Sequence, residues 1–476
     1  MKLLLFFGLV LSSYADPLYR LFLPDLQDPP HPLIEDLLCH PLFSRLHRVA
    51  QLSSLKFFFP HGNIHRAAHS RGSSIAASIY INALNQNSPP TSRISPLQSL
   101  AVQVAALLHD IGHGPYSHVF QRAYSSHCPP LKPWSHELQS TRIACHLFNE
   151  LRLVSKYNLP NDFLYAVCDM ILGISPRRHA RKYGASSHFS SYVIFTIVNG
   201  DLQDSLDVDK FDYMRRDSRM CCHPSYARIV DNAVCEIILN SRILNDRIVY
   251  SSRAAPALAV FAHCVYLNYR YLYYHPHAHG LNLLIHRIFE ELIPRHPHLF
   301  NLRDLHAFLA LDDNLLDGFS DIHPDLQSLI GRFHARIPYL FLAYRDLPDS
   351  SALNNAKQAF LHALRDSPYI QPYDYVLDSC HFAHIIRNPL HTNILRRVVF
   401  YDLSDPEESF FLFQPYLQDL LNSSPSELFF SSKEIYYSFA VPFHETCIQL
   451  RLYCTSQDPK KSALLLEIFN HALPLD

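Results

Sequence analysis

At 476 residues the chain is too long for one compact core and is expected to form two lobes. Its hydrophobic content of 48% and charged content of 18% place it among globular proteins and exclude disordered and fibrous classes. A formal net charge of −2 excludes an extended nucleic-acid surface while leaving room for a local basic pocket. The 11 cysteines are scattered, only Cys221 and Cys222 are adjacent, and no CxxC pair occurs, so neither a zinc ribbon nor a disulfide framework is indicated. The anomaly is 31 histidines against 11 glycines. In such a chain a lone histidine carries little information.

The chain opens with "MKLLLFFGLVLSSYAD", a lysine, a short apolar run and small residues at Ser13 and Ala15. This fits a cleavable secretory signal, and residues 1–15 are read as an apolar leader. A first buried strand or an upstream start codon would produce the same text. The scattered cysteines suit a reducing interior, so a cytoplasmic location is expected, with export as the alternative. No transmembrane segment is expected, because no run is long and apolar enough.

From about Leu21 to Arg295 the periodicity is mostly helical, broken by proline-rich joints such as "SPPTSRISP" and "HCPPLKPW". Within it, "SPLQSLAVQVAALLHD" predicts a buried helix: Ser95 caps it, Pro96 takes the first helical position and Gln98 completes a capping box. Leu97, Leu100, Ala101, Val104, Leu107 and Leu108 recur at helical spacing. Gly112, Gly114 and Pro115 then stop it. His109 and Asp110 therefore stand at the negative end of a helix dipole, which favours a cation. After Arg295 the texture changes. "LRRVVFYDL", "YYSFAVPF" and "CIQLRLYC" are strand-like and "KKSALLLEIFNHAL" is a closing helix. The expected fold is mainly α, with a helical lobe over residues 16–295 followed by a smaller α+β region over 296–476.

An adjacent His-Asp pair offers one nitrogen and one oxygen ligand, and a catalytic ion needs more, plus room for water. "HGNIHRAAHSRG" offers His69 near a helix start, and "DSLDVDKFDYMRRDS" offers Asp209. On that second helix Asp209, Tyr213 and Arg216 share a face, overlapped by Lys210, Tyr213 and Asp217. Taken alone, each feature also reads as a core histidine or a solvated charged face.

Taken together, "RAAHS … LLHDIGHGPYSHVF … SHELQS … DVDKFDYMRRD" resembles the HD-domain phosphohydrolases, in particular the deoxynucleoside triphosphate triphosphohydrolases. The resemblance runs from about Leu38 through the helical lobe and more loosely into the C-terminal region. It implies a helical HD-domain lobe in which His69, His109, Asp110 and Asp209 bind a divalent metal ion: iron, manganese, zinc or magnesium. It further implies that Arg66 binds phosphate and that His113, His118 and His136 line the phosphate path, with His118 as acid or base. Lys210, Tyr213 and Asp217 are implied to contact phosphates and sugar, with Gln51 and Leu52 near the deoxyribose. The family's Y-x-H matches Tyr273 and His275. A nucleotide substrate and a homo-oligomeric assembly follow from the same likeness.

Phosphoester cleavage independently asks for neutralised phosphoryl charge, an activated water and a proton for the leaving oxygen, and a His/Asp ion site beside a histidine can supply these. Departures from the family pattern point the other way on details. Val265 stands where the family has an arginine reaching the triphosphate, "DPPHP" replaces its usual "DPxHG", and Cys39 and His47 replace nucleotide-contacting Asp and Arg. These weigh against activation by a bound nucleotide and against strict triphosphate specificity. Two other readings compete. "HDIGH" mimics the zinc-peptidase H-E-x-x-H, but that motif needs one continuing helix, and Gly112 and Gly114-Pro115 interrupt it. A non-catalytic, metal-stabilised interaction module would be signalled by lost ligands, and none is lost.

Overall fold

The computed structural model describes residues 17–20, 30–128, 134–199, 206–319, 326–365, 367–382, 399–401, 409–410 and 447–474. The leader, "YYSFAVPF", Asp28 of "DPPHP" and most of "HCPPLKPW" lie outside them.

Helices dominate, as the periodicity predicts. The central ones are α1 (Arg66–Asn87), α2 (Pro96–Leu108), α3 (His118–Ser126), α4 (His136–Glu150), α5 (Phe163–Leu172), α6 (Val208–Cys221), α7 (Pro224–Leu239), α8 (Ala255–Leu267) and α9 (Pro276–Arg295). The predicted cap of α2 forms: Ser95 accepts from the Gln98 backbone while the Gln98 side chain accepts from the Ser95 N–H at 2.9 Å. Its buried stripe, Leu100, Ala101, Val104, Leu107 and Leu108, anchors the following turn in the main core. Burying a leucine side chain contributes about 1.5–3 kcal/mol, so this helix holds its C-terminal end firmly in place. Asp207 caps α6 by accepting from the Lys210 N–H at 2.8 Å.

Close helix approach depends on glycine at two places. A Cβ on Gly72 of α1 would lie 1.9 Å from Asp212 Oδ1 on α6. A Cβ on Gly112 would lie 2.2 Å from the His136 carbonyl at the head of α4. Any larger residue would push apart the elements that converge at these points.

One departure from the helical expectation is a hairpin, β1 (Ser241–Leu244) and β2 (Arg247–Ser251). Its turn residues Asn245 and Asp246 both have positive φ, at 51° and 58°, which suits a two-residue hairpin loop. β2 continues in parallel with β5 (Val399–Tyr401), the described part of "LRRVVFYDL", and β5 pairs with β6 (Ser409–Phe410).

The C-terminal region has an antiparallel sheet ordered β3 (Leu340–Leu347), β7 (Cys447–Cys454) and β4 (Tyr375–Phe382). Period-two alternation in "CIQLRLYC" sorts its side chains. Ile448, Leu450, Leu452 and Cys454 join a second core with Leu353 and Phe360 of α10 (Ser350–Leu364) and Leu465 and Phe469 of α11 (Pro459–Ala472). Tyr453 points the other way, into the main core. Phe300, Leu311, Phe333 and Tyr339, all C-terminal to residue 295, also pack on the main core. Among the described residues no helix is long and apolar enough to cross a membrane.

Candidate metal centre

Four elements converge on one pocket: the first turn of α1, the end of α2, the head of α4 and the first turn of α6. His69 is fully buried on α1, and its Nδ1 lies 2.8 Å from Asp212 Oδ2. That contact keeps Nδ1 protonated, so that in the neutral ring the Nε2 lone pair faces Asp110 and Asp209. His109, at the C-cap of α2, is oriented the same way by its Nδ1 contact to the Ala106 carbonyl at 2.8 Å. Its Nε2 lies 3.3 Å from His69 Nε2.

The carboxylates complete the arrangement. Asp110 Oδ2 is 3.4 Å from His69 Nε2 and 3.5 Å from His109 Nε2, and Asp209 Oδ1 is 3.0 and 3.6 Å from the same two nitrogens. Ligands held about 2.0–2.2 Å from a shared ion are separated by about 2.9–3.6 Å along the edges of a tetrahedron or octahedron. The observed spacings fall in that band. The donor atoms of His69, His109 and Asp110 all lie within 4.8 Å of one another.

The charge balance also asks for a cation. Burial alone would depress the His69 pKa, yet Asp209 and Asp212 outweigh it and raise it to about 10. Asp209 is held well below the ordinary carboxylate range because the His109 and His69 contacts overcome burial. In this state a proton supplies positive charge that an ion supplies when bound. The residues present fit a divalent cation.

Beside this carboxylate-rich half lies an imidazole-rich half. His113 and His136 stack with ring centroids 3.8 Å apart, and His118 meets His113 edge-on at 4.8 Å. His113 and His136 are buried and His118 is exposed. Burial, with the Arg66 guanidinium, drives His113 well below its usual value. Burial lowers His136 to about 3, against the pull of Asp110. Both rings are neutral at neutral pH; His113 Nε2 lies 3.3 Å from Asp110 Oδ1, and its Nδ1 has no hydrogen-bond partner among the described residues.

Arg66, at the first position of α1, pairs with Asp110 and donates from Nε to Ser117 Oγ at 2.7 Å. Lys210 Nζ pairs with Asp207. Gln51 N donates to the Ile64 carbonyl at 2.8 Å and Gln51 Oε1 has no partner among the described residues, while Leu52 packs in a small apolar cluster with Leu55, Leu272 and Tyr273. Further along α6, Tyr213 meets Tyr273 edge-on with centroids 6.2 Å apart. The Tyr273 hydroxyl donates to Asp217 Oδ2 at 2.9 Å, while Asp217 Oδ1 is buried without a partner among the described residues. Tyr273 lies in a π-helical turn, Asn268–Tyr273, a widened form common near functional sites. His275 follows it, and its ring lies 5.3 Å from Phe59. Val265 is 1% exposed within the main core. Arg216 is engaged by Asp212, with Nε to Oδ2 at 2.9 Å and Nη2 to Oδ1 at 2.8 Å.

Sequence reasoning missed the residues that hold the site in shape. Asp212 supports His69 and is itself held by Arg216 and by the Tyr19 hydroxyl at 2.9 Å. Its position three residues after Asp209 could have flagged it. Ser140 accepts from Gly112 N and donates to the His109 carbonyl, at 2.8 and 2.6 Å, bracing the turn. Arg45, fully buried, donates to the Ile111, His113 and Leu311 carbonyls at 2.9, 2.6 and 2.6 Å. Tyr116 and Ser117 both have positive φ, at 53° and 56°, immediately before His118. Asp313 holds that strained turn, accepting from Tyr116 N at 2.7 Å.

Residues 66–188 match the HD domain family. Similar curated proteins include the deoxynucleoside triphosphate triphosphohydrolase SAMHD1 of Mus musculus, 33% identical over 221 residues, covering 44% of this chain and 33% of that protein. The Homo sapiens protein of the same name is 32% identical over 228 residues, covering 45% and 35%. The SAMHD1 homolog of Dictyostelium discoideum is 27% identical over 286 residues, covering 60% and 51%. The chain thus matches about a third of the mammalian relatives' length and about half of the Dictyostelium one.

Proposed function

Because residues 66–188 form an HD domain within a chain homologous to these triphosphohydrolases, we propose that the protein is a metal-dependent phosphohydrolase acting on nucleotides. Its substrates are deoxynucleoside triphosphates, cleaved to deoxynucleoside and tripolyphosphate. The observation that carries this reading is the pair of imidazoles, His69 and His109, both oriented to present Nε2 toward Asp110 and Asp209. His69, His109, Asp110 and Asp209 would hold a divalent ion, which would supply neutralisation of phosphoryl charge and a water made nucleophilic near neutral pH.

The chain's own groups do the rest. Water oxygen attacks the α-phosphorus, the bond to the 5′ oxygen breaks, and that oxygen needs a proton. His118, the solvent-facing member of the histidine trio, delivers it and is reprotonated from solvent, which takes up the proton lost by the attacking water. His113 and His136, kept neutral by burial, shape the phosphate path without adding positive charge. Arg66 and Lys210 face the phosphates, while Gln51, Leu52, Tyr213, Asp217 and Tyr273 hold the sugar and base. The catalytic residues lie within 16–295 and the C-terminal α+β region spans 296–476, Asp313 bracing the site from beyond that boundary, and the assembly is a homo-oligomer.

Phosphate number is where this chain departs from its family. An arginine makes two parallel charge-assisted bonds to a terminal phosphate, and Val265, packed in the core, makes none. Losing such a contact costs about 2–3 kcal/mol, roughly 30- to 150-fold in affinity. Discrimination among tri-, di- and monophosphates is therefore weak. Product analysis on matched deoxynucleotides, across the four candidate metals, tests both levels. Hydrolysis of all three with deoxynucleoside as a shared product is expected. Tripolyphosphate release with di- and monophosphates untouched would refute relaxed specificity alone, and no turnover with any metal would refute the enzyme.

A further inference from the structure

Away from this pocket, α9 crosses β4 and brings together three donors of a different character. Asp378 and Cys380 are two apart on β4, so the strand's period places both on one face. His279, in the first turn of α9, lies over that face. Its Nε2 is 2.6 Å from Asp378 Oδ2 and 3.9 Å from Cys380 Sγ. The donor atoms of the three residues lie within 4.8 Å of one another. Cys380 is fully buried and His279 nearly so, while the Asp378 side chain is 20% exposed.

The convergence on a single nitrogen is the informative feature. A nucleophile relay of the Cys-His-Asp kind uses the two ring nitrogens separately, one toward the thiol and the other toward the carboxylate. Here thiol and carboxylate both face Nε2. Donors arranged around one point are what an ion requires. Sulfur, imidazole nitrogen and a carboxylate oxygen at about 2.3, 2.05 and 2.0 Å from a tetrahedral ion stand about 3.3–3.6 Å apart. The sulfur–nitrogen spacing is close to this already, and the His279–Asp378 pair has to open by roughly 0.7 Å.

We propose that His279, Asp378 and Cys380 form a second metal site, distinct from the HD centre and selective for a thiolate-accepting cation of the zinc class. A thiol among the ligands favours zinc or cobalt over magnesium or manganese, unlike the His/Asp set of the pocket. Burial raises the free Cys380 thiol to about 12, so its proton leaves only as the ion arrives. Thiolate and carboxylate together match a divalent charge, which lets the ion coexist with the nearby guanidiniums. Arg122 stands 3.8 Å from Asp378 Oδ2, and Arg451 pairs opposite Asp378 in the sheet and is held by Gln449 Oε1 at 2.6 Å. The partly exposed Asp378 edge leaves the fourth position to water. Bound there, the ion pins the C-terminal sheet to α9, the helix that begins just after Tyr273 and His275.

The test titrates cobalt(II) into the full chain after chelation. Only a thiolate ligand produces a sulfur-to-cobalt charge-transfer absorption in the near ultraviolet, so the HD centre is silent in this readout. One equivalent with that absorption is expected, in addition to one without it. Cys380→Ser should abolish the absorption while leaving the silent equivalent, and Asp378→Asn should weaken the absorbing site by about 10- to 100-fold. Circular dichroism identifies a variant that fails to fold, and the Asp378→Asn chain, which keeps its thiol, then decides alone. Absence of the absorption in the unmodified chain, its survival in Cys380→Ser, or an unchanged affinity in Asp378→Asn would overturn the proposal.

Discussion

The two halves of the pocket are built from the same residue type and behave oppositely. His69 and His109 sit among Asp110, Asp209 and Asp212, and their pKa values are raised despite burial. His113 and His136 are buried as well, and there desolvation wins: helped by the Arg66 guanidinium, it drives both down against the carboxylate of Asp110. The balance between burial and the carboxylates in contact, rather than the imidazole itself, separates a cation-holding half from a neutral phosphate-lining half. Asp110 belongs to both: Oδ2 faces His69 and His109, while Oδ1 stands 3.3 Å from His113 and 3.6 Å from His136.

The sharpest way to break this division is to compare variants from its two sides. Asp110→Ala removes a carboxylate from the ion's surroundings, so metal content and activity should both fall to background. His118→Ala lies on the other side and should keep the metal while turnover falls by roughly 10²–10⁴-fold, the usual worth of a general acid or base. Metal analysis alongside kcat separates them. Equal loss of metal in both would mean the two halves are one ligand set.

A smaller effect probes what holds the first half in register. Asp212 is turned onto His69, whose Nδ1 it contacts, and is braced by Arg216 and Tyr19. Asp212→Asn should lower metal affinity by about 10- to 100-fold, as loss of such outer support commonly does. Competition against a chelator measures it. Unchanged affinity would show that the Asp212 charge plays no part in tuning His69.

How much of this could be read in the sequence follows from the range of the interactions. Local signals carried furthest: the Ser95–Gln98 capping box, the glycine-proline stop after Asp110 and the period-two pattern of β7 all correspond to short-range geometry. The grouping of His69, His109, Asp110 and Asp209 was expected only through the resemblance of the ordered motifs to the HD-domain phosphohydrolases, because periodicity marks an apolar helix face without saying which other face it meets. The supports were not legible. Arg45, Asp313 and Tyr19 act across 66, 197 and 193 residues respectively, and a single side chain reaching that far leaves no periodic trace. The β1–β2 hairpin is a different miss, since Asn245-Asp246 between "SRIL" and "RIVYS" was a usable turn signal. Arg216 shares a helical face with Asp209, as spacing implied, but its guanidinium is turned onto Asp212 rather than left open for phosphate.

The smallest effect concerns the sugar end of the pocket, where a carboxylate is buried without the cation that compensates the others. Burial raises Asp217 from its usual value to about 7, against the opposing hydrogen bond from the Tyr273 hydroxyl. Between about pH 4 and pH 7 the folded chain therefore holds a proton that the unfolded chain has released. Folding stability from this group is fully present below the unfolded pKa and is lost as pH rises through the folded one, with a slope of up to about 1.4 kcal/mol per pH unit. Asp217→Asn is neutral throughout and removes that slope. Its stability relative to the unmodified chain should rise steadily from pH 4 to pH 7 and level off above, measured by urea unfolding in excess chelator. Parallel stability curves across that window would mean that Asp217 is already ionised at pH 4, and that this end of the pocket is wetter than its burial implies.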